Sequence, residues 1–170
     1  MKTLVLGLGN PILGDDGVGW KVAEEVKRQL PLPSPPALLL PGEGRHVVDV
    51  EYLSLGGISL MEHLIGYQRA ILIDAFALEE PIGSILVLKL SDLPNYSAFH
   101  TTSAHDTSLQ NAIKLGRSLG AQLPDDITVV GIATRHIYDF SEELSPPVAQ
   151  AVPKAVQFVL DLLKQIVTMQ

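Results

Sequence analysis

The sequence predicts an α/β domain of three layers, with a twisted, largely parallel sheet and helices on both faces. Short apolar runs rich in β-branched residues alternate with stretches of helical period along the chain, the pattern that βα units leave in a sequence. A glycine-rich segment, residues 7–19, follows the first apolar run and opens the first helical stretch, as a strand–loop–helix unit requires. The length of 170 residues suits one hydrophobic core, so residues 1–170 are expected to form a single domain.

Taken in order, Lys2 to Leu8 has the length and flanks of a buried strand, and Gly9 to Gly17 is a loop. Val18, Val22, Val26 and Leu30 fall on one helical face. The four prolines of Pro31 to Pro36 end that helix. Ala37 to Leu40 and Val47 to Leu53 read as strands. Gly56-Gly57 breaks the chain before a short helix near Ile58 to Ile65. Strands follow at Ala70 to Asp74, Ile85 to Leu90 and Ile127 to Ala133. A helix over Asp106 to Leu119 ends at Gly120. The last helix spans Val148 to Val167, with Pro146 and Pro147 at its start, where proline is tolerated. Pro153 is expected to kink or delay its first turns.

Composition narrows the function. Hydrophobic residues make up 46% and charged residues 18%, which suits a globular chain. No apolar run is long enough to span a bilayer, and Met1 to Gly7 reads as a strand rather than a signal peptide. The absence of cysteine excludes disulfides, thiolate metal sites and a Cys nucleophile, and with the lack of a signal it favours the cytoplasm. A net charge of −7 with only 12 scattered Lys and Arg opposes a nucleic-acid partner.

Three segments could carry chemistry. In Gly7 to Gly19 the acids Asp15 and Asp16 sit between a strand and a helix, at the sheet edge where ligands bind in open α/β folds. Ile12 stands where a dinucleotide fingerprint needs its third glycine, and two carboxylates would repel a pyrophosphate. The plain alternative is that Asp15 or Asp16 caps the helix. Asp74 closes an apolar strand in Ile71 to Phe76, where a turn-forming Asp is the plain alternative. His105 lies at the mouth of the helix beginning near Asp106, with Ser103 and Asp106 as candidate N-caps. His46, His63, His100 and His136 lack such a setting and read as structural or exposed. Two carboxylates and an imidazole on separate loops of one sheet edge make a weak, open donor set for zinc or nickel. There is no G-x-S-x-G elbow for a serine nucleophile.

The order GLGNPILGDDGVG (Gly7–Gly19), ILIDAF (Ile71–Phe76) and SAHDTSL (Ser103–Leu109) resembles the hydrogenase maturation proteases. VVGI at Val129–Ile132 and LSPPV at Leu144–Val148 fit as well, so the resemblance covers essentially the whole chain. It implies a twisted sheet between helical layers and an endopeptidase, aspartic-type or metal-dependent. Its substrate would be the precursor of a nickel–iron hydrogenase large subunit, which loses a short C-terminal extension. By the same resemblance Asp16, Asp74 and His105 would ligate nickel carried by that precursor, with no permanently bound cofactor. Asp16 and Asp74 are also the candidate bases for hydrolysis. The segment Gly56 to Leu60 approximates a small-residue turn of the family and is a candidate for precursor selection. A monomer is expected, with the precursor as partner and neither nucleic acid nor membrane insertion.

Two rival readings differ in class. GLGNP also opens the bacterial peptidyl-tRNA hydrolases, and Thr134-Arg135-His136 echoes a later motif of theirs, but at the wrong spacing and with the wrong charge. A non-catalytic metal-delivery chaperone on the same fold would share Asp16, Asp74 and His105.

Overall fold

The computed structural model describes residues 1–30, 47–77, 79–93, 107–135 and 139–168. Five strands form one sheet: β1 (Lys2–Leu8), β2 (Val47–Leu53), β3 (Arg69–Ala77), β4 (Ile85–Lys89) and β5 (Asp126–Thr134). Four helices accompany them: α1 (Val18–Gln29), α2 (Gly57–His63), α3 (Leu109–Ser118) and α4 (Pro146–Thr168). The strand order is β2-β1-β3-β5-β4, parallel except for β4, which runs antiparallel to β5. The three-layer expectation holds. The predicted strand Ala37–Leu40 lies outside the described residues.

Alternation along each strand divides the core into two. Leu4, Leu6 and Leu8 of β1, with Leu72 and Phe76 of β3, pack under Leu60 of α2, Leu64 at its C-terminal end, and Leu109 and Ile113 of α3. Val5, Ile71, Ile73, Val130 and Ile132 face the other way, onto Val22 and Val26 of α1 and Val156 and Val159 of α4. Both faces are covered, which is why β3 is buried continuously from Ala70 to Phe76. Each fully buried Leu, Ile or Val contributes about 1.5–3 kcal/mol.

Helix α1 lies unusually close to the sheet. A Cβ on Gly19 would stand 2.2 Å from the carbonyl oxygen of Leu8 and 2.4 Å from that of Ile73. Glycine is required there because backbone, not a movable side chain, occupies the space. The contact seats the first turn of α1 over the junction of β1 and β3.

Some boundaries differ from the sequence reading. Helix α3 starts at Leu109 rather than Asp106, because Ser108 is extended and its hydroxyl accepts the Asn111 N–H. Ser108 therefore caps it, in place of Ser103 or Asp106. Helix α4 starts at Pro146 and runs on through Pro153. Pro153 and Ala149 are exposed, so water can meet the Ala149 carbonyl that the proline leaves without a donor.

Candidate functional site

Strand order sets where a site can form. From β1 the chain passes through α1 to β2 on one side, and from β2 through α2 to β3 on the other. The connections diverge at the C-terminal ends of β1 and β3, the switch point at which open α/β sheets bind ligands. Two of the predicted segments lie there. The loop after β1 carries Asp15 and Asp16 in a short 3-10 turn, Gly14–Gly17, which packs against β3. Asp74 lies within β3, not at its end as the sequence suggested. Pairing with β5 continues to Ala77, whereas pairing with β1 stops at Ile73. Asp74 is thus the first residue of β3 beyond its contact with β1.

All three aspartates are buried: Asp15 and Asp74 are 0% exposed and Asp16 3%. Buried carboxylates need donors, and the donors distinguish them. Asp15 accepts the Thr134 hydroxyl at 2.7 Å, the Ser145 N–H at 2.6 Å and the Ser145 hydroxyl at 2.8 Å. Its carboxylate joins the end of β5 to the residue preceding α4, and its charge suits that helix N-terminus. Asp16 accepts the Asn10 N–H at 2.7 Å, within its own loop. Asp74 accepts the N–H of Ala75 at 2.9 Å. Neither Asp15 nor Asp16 caps α1, whose N-cap is Gly17 with no side-chain cap bond. The capping alternative is therefore wrong for both. Asp15 is a staple of the fold, whereas the Asn10 bond of Asp16 stays within its own loop.

His105 lies outside the described residues, as do His46, His100 and His136. Among the described residues no three His, Asp or Glu side chains form a metal-holding group. An O/O/N set would need His105, the donor that leads into α3, as its third member. His63 is structural as expected, with its Nδ1 2.9 Å from Glu51.

The sequence reading missed Thr134 and Ser145. Thr134, in sequence only an echo of a tRNA-enzyme motif, serves as a donor to Asp15. Ser145 belongs to the LSPP segment, where serine before proline marks a helix start, but nothing local points to Asp15.

The family model described as hydrogenase maturation protease matches residues 48–162. The hydrogenase expression/formation protein HupD of Bradyrhizobium diazoefficiens is 24% identical over 96% of this chain and 79% of its own length. FrxA of Pyrococcus furiosus is 27% identical over 90% of this chain and 98% of its own. Among solved structures, the hydrogenase maturating endopeptidase HybD of E. coli has a TM-score of 0.72 at 23% identity, covering 97% of this chain and 93% of that one. The hydrogenase 2 maturation peptidase of a Thaumarchaeota archaeon has a TM-score of 0.62 at 28% identity, covering 96% and 98%.

Proposed function

The chain belongs to the hydrogenase maturation protease family, and from that premise we propose that it removes the C-terminal extension of a nickel–iron hydrogenase large-subunit precursor after nickel insertion. The observation that carries this reading is the placement of Asp74 and the Asp16 loop on either side of the β1–β3 switch point.

In this proposal the nickel is part of the substrate. Asp16, Asp74 and His105 complete its coordination from the protease side, two hard oxygens and an imidazole. With so few protein donors, the protein alone would hold metal weakly, so cleavage waits for the loaded precursor. The bound nickel fixes the scissile bond in place and polarises its carbonyl or a water. Asp16 or Asp74 then takes the proton of the attacking water and passes it to the leaving amine as the peptide C–N bond breaks. The reaction is proposed to take place in the cytoplasm, with the protease as a monomer. The described helices include none long and apolar enough to cross a membrane.

Intact-mass analysis after incubation with nickel-loaded and nickel-free precursor tests this. Loss of a C-terminal peptide from the loaded form alone is expected. Asp74→Asn and His105→Ala should each abolish that loss. Full cleavage by Asp74→Asn with wild-type precursor binding would remove Asp74 from the mechanism. Binding without any shortening would favour the metal-delivery chaperone.

A further inference from the structure

Asp15 is the chain neighbour of Asp16, yet its carboxylate reaches a different part of the fold. Its Oδ1 accepts the Ser145 N–H at 2.6 Å, and its Oδ2 accepts the hydroxyls of Ser145 at 2.8 Å and Thr134 at 2.7 Å. Its main-chain carbonyl accepts the Val18 N–H that opens α1. The turn is gripped on either side as well. The Gly14 N–H donates to the Ser141 carbonyl at 2.7 Å. At the other end, a Cβ on Gly17 would stand 2.9 Å from the Pro11 Cα. Asp16 sits between these fixed points, and its Oδ2 accepts the Asn10 N–H at 2.7 Å.

Stability alone does not explain a charge at position 15. A carboxylate with no exposed surface is costly to desolvate, and an apolar group of similar size often holds a core as well or better. What the carboxylate adds is geometry. Accepting from β5 on one side and from the entry to α4 on the other, it is fixed in both place and orientation. Consecutive Cα atoms lie about 3.8 Å apart, so whatever fixes Asp15 also fixes the backbone of Asp16. The same strand sets the other acid. β5 carries Thr134 and, three residues earlier, pairs Gly131 with Asp74. β5 is thus a common reference for Asp16 and Asp74, though neither lies on it.

We propose that Asp15 is a positioning residue for cleavage: held by Thr134 and Ser145, it sets where the Asp16 carboxylate stands relative to Asp74. The proposal rests on the role given to Asp16 in the function above and adds a residue that acts through it. Groups that act together on one reacting centre must be held to within about 0.5 Å. A misplacement of about 1 Å can cost about a hundredfold in rate. Loosening the Asp15 grip would therefore slow the chemical step far more than it weakens precursor binding.

The test is kinetics on the nickel-loaded precursor with Asp15→Asn, Ser145→Ala and Ser145→Thr. Ile127→Val, a core trim near the opposite end of β5, is the control for general loosening. Asp15→Asn keeps the size of the side chain but has one acceptor oxygen, so part of the grip is lost. It should lower kcat about tenfold or more while KM for the precursor changes less than about twofold. Ser145→Ala should lower kcat less, and Ser145→Thr, which keeps the hydroxyl, should restore it. Ile127→Val should lower the melting temperature and leave kcat unchanged.

A second readout needs no cleavage: the broadening of the protease's amide NMR signals by added Ni2+. Signals beside Asp16 should broaden in the wild type, and less in Asp15→Asn at the same Ni2+ concentration. Wild-type kcat with wild-type broadening in Asp15→Asn overturns the proposal. So does a fall in kcat that Ile127→Val reproduces, since loosening of the fold would then account for it. If the wild type cuts no precursor but the difference in broadening persists, the positioning role stands and the protease function falls. If the wild type shows neither cutting nor broadening, both fall.

Discussion

Thr134 donates its hydroxyl to the carboxylate of Asp15 at 2.7 Å, joining positions 119 residues apart in the chain. With the two bonds from Ser145, this carboxylate holds the β1–α1 loop, the end of β5 and the start of α4 together. Asp15→Ala would strand buried donors and leave a cavity, and it should cost roughly 2–4 kcal/mol of stability. Thr134→Val removes one of the three bonds and should cost about half as much. Urea midpoints of the two variants check the ranking, and equal losses would contradict it.

The close approach of α1 to the sheet gives a second expectation. Gly19→Ala places a methyl against two backbone carbonyls that cannot step aside, so it should cost about 3 kcal/mol or more. Gly131→Ala differs, because its Cβ would stand 2.2 Å from the Phe76 ring, a side chain. Trimming that ring with Phe76→Leu should make the double variant less unstable than the sum of the singles. Strict additivity in thermal unfolding would refute the contact.

Stability against pH should respond to Tyr67 and Asp49, whose phenol and carboxylate hydrogen bond at 2.8 Å. Burial, and then the Asp49 bond, push the Tyr67 phenol from 10.0 up to about 12. A raised phenol stabilises the fold fully below pH 10, and that contribution is lost as pH rises from 10 toward 12. Asp49 is held below its usual 3.8, first by the Tyr67 bond and then by Lys2, against opposing burial. Its contribution is present above pH 3.8 and lost as pH falls below that value. Tyr67→Phe should therefore flatten the alkaline limb and weaken the acid limb of denaturation measured across pH. An unchanged alkaline limb would refute the assignment.

Ser108 caps α3 by accepting the Asn111 N–H at 3.3 Å. Ser108→Ala should lower stability by about 1 kcal/mol, and Ser108→Asp should largely restore it. Equal melting of all three proteins would place the cap elsewhere.

Much of the fold was legible because its signals are local. The 3.6-residue spacing of Val18, Val22 and Val26 marks α1, and the apolar run at 70–73 marks a strand covered on both faces. The missed boundaries have physical causes that periodicity does not carry. β3 continues past Asp74 because β5 offers partners as far as Thr134. α4 absorbs Pro153 at a place where Pro153 and Ala149, four residues before it, are both exposed.

By itself, the sequence determined the alternation of strands and helices, the glycine-rich turn after β1 and the order of the acids, since each depends on neighbours within a few residues. It could not separate Asp15 from Asp16, because the donors that occupy Asp15 arrive from 119 and 130 residues away. Only the tertiary structure showed which donors hold Asp15, together with the seat of Asp74 beyond the end of β1 pairing. The physical reason is common to both. A buried carboxylate takes whichever donors the packed layers bring to it, and strand order, not local sequence, sets which layers meet.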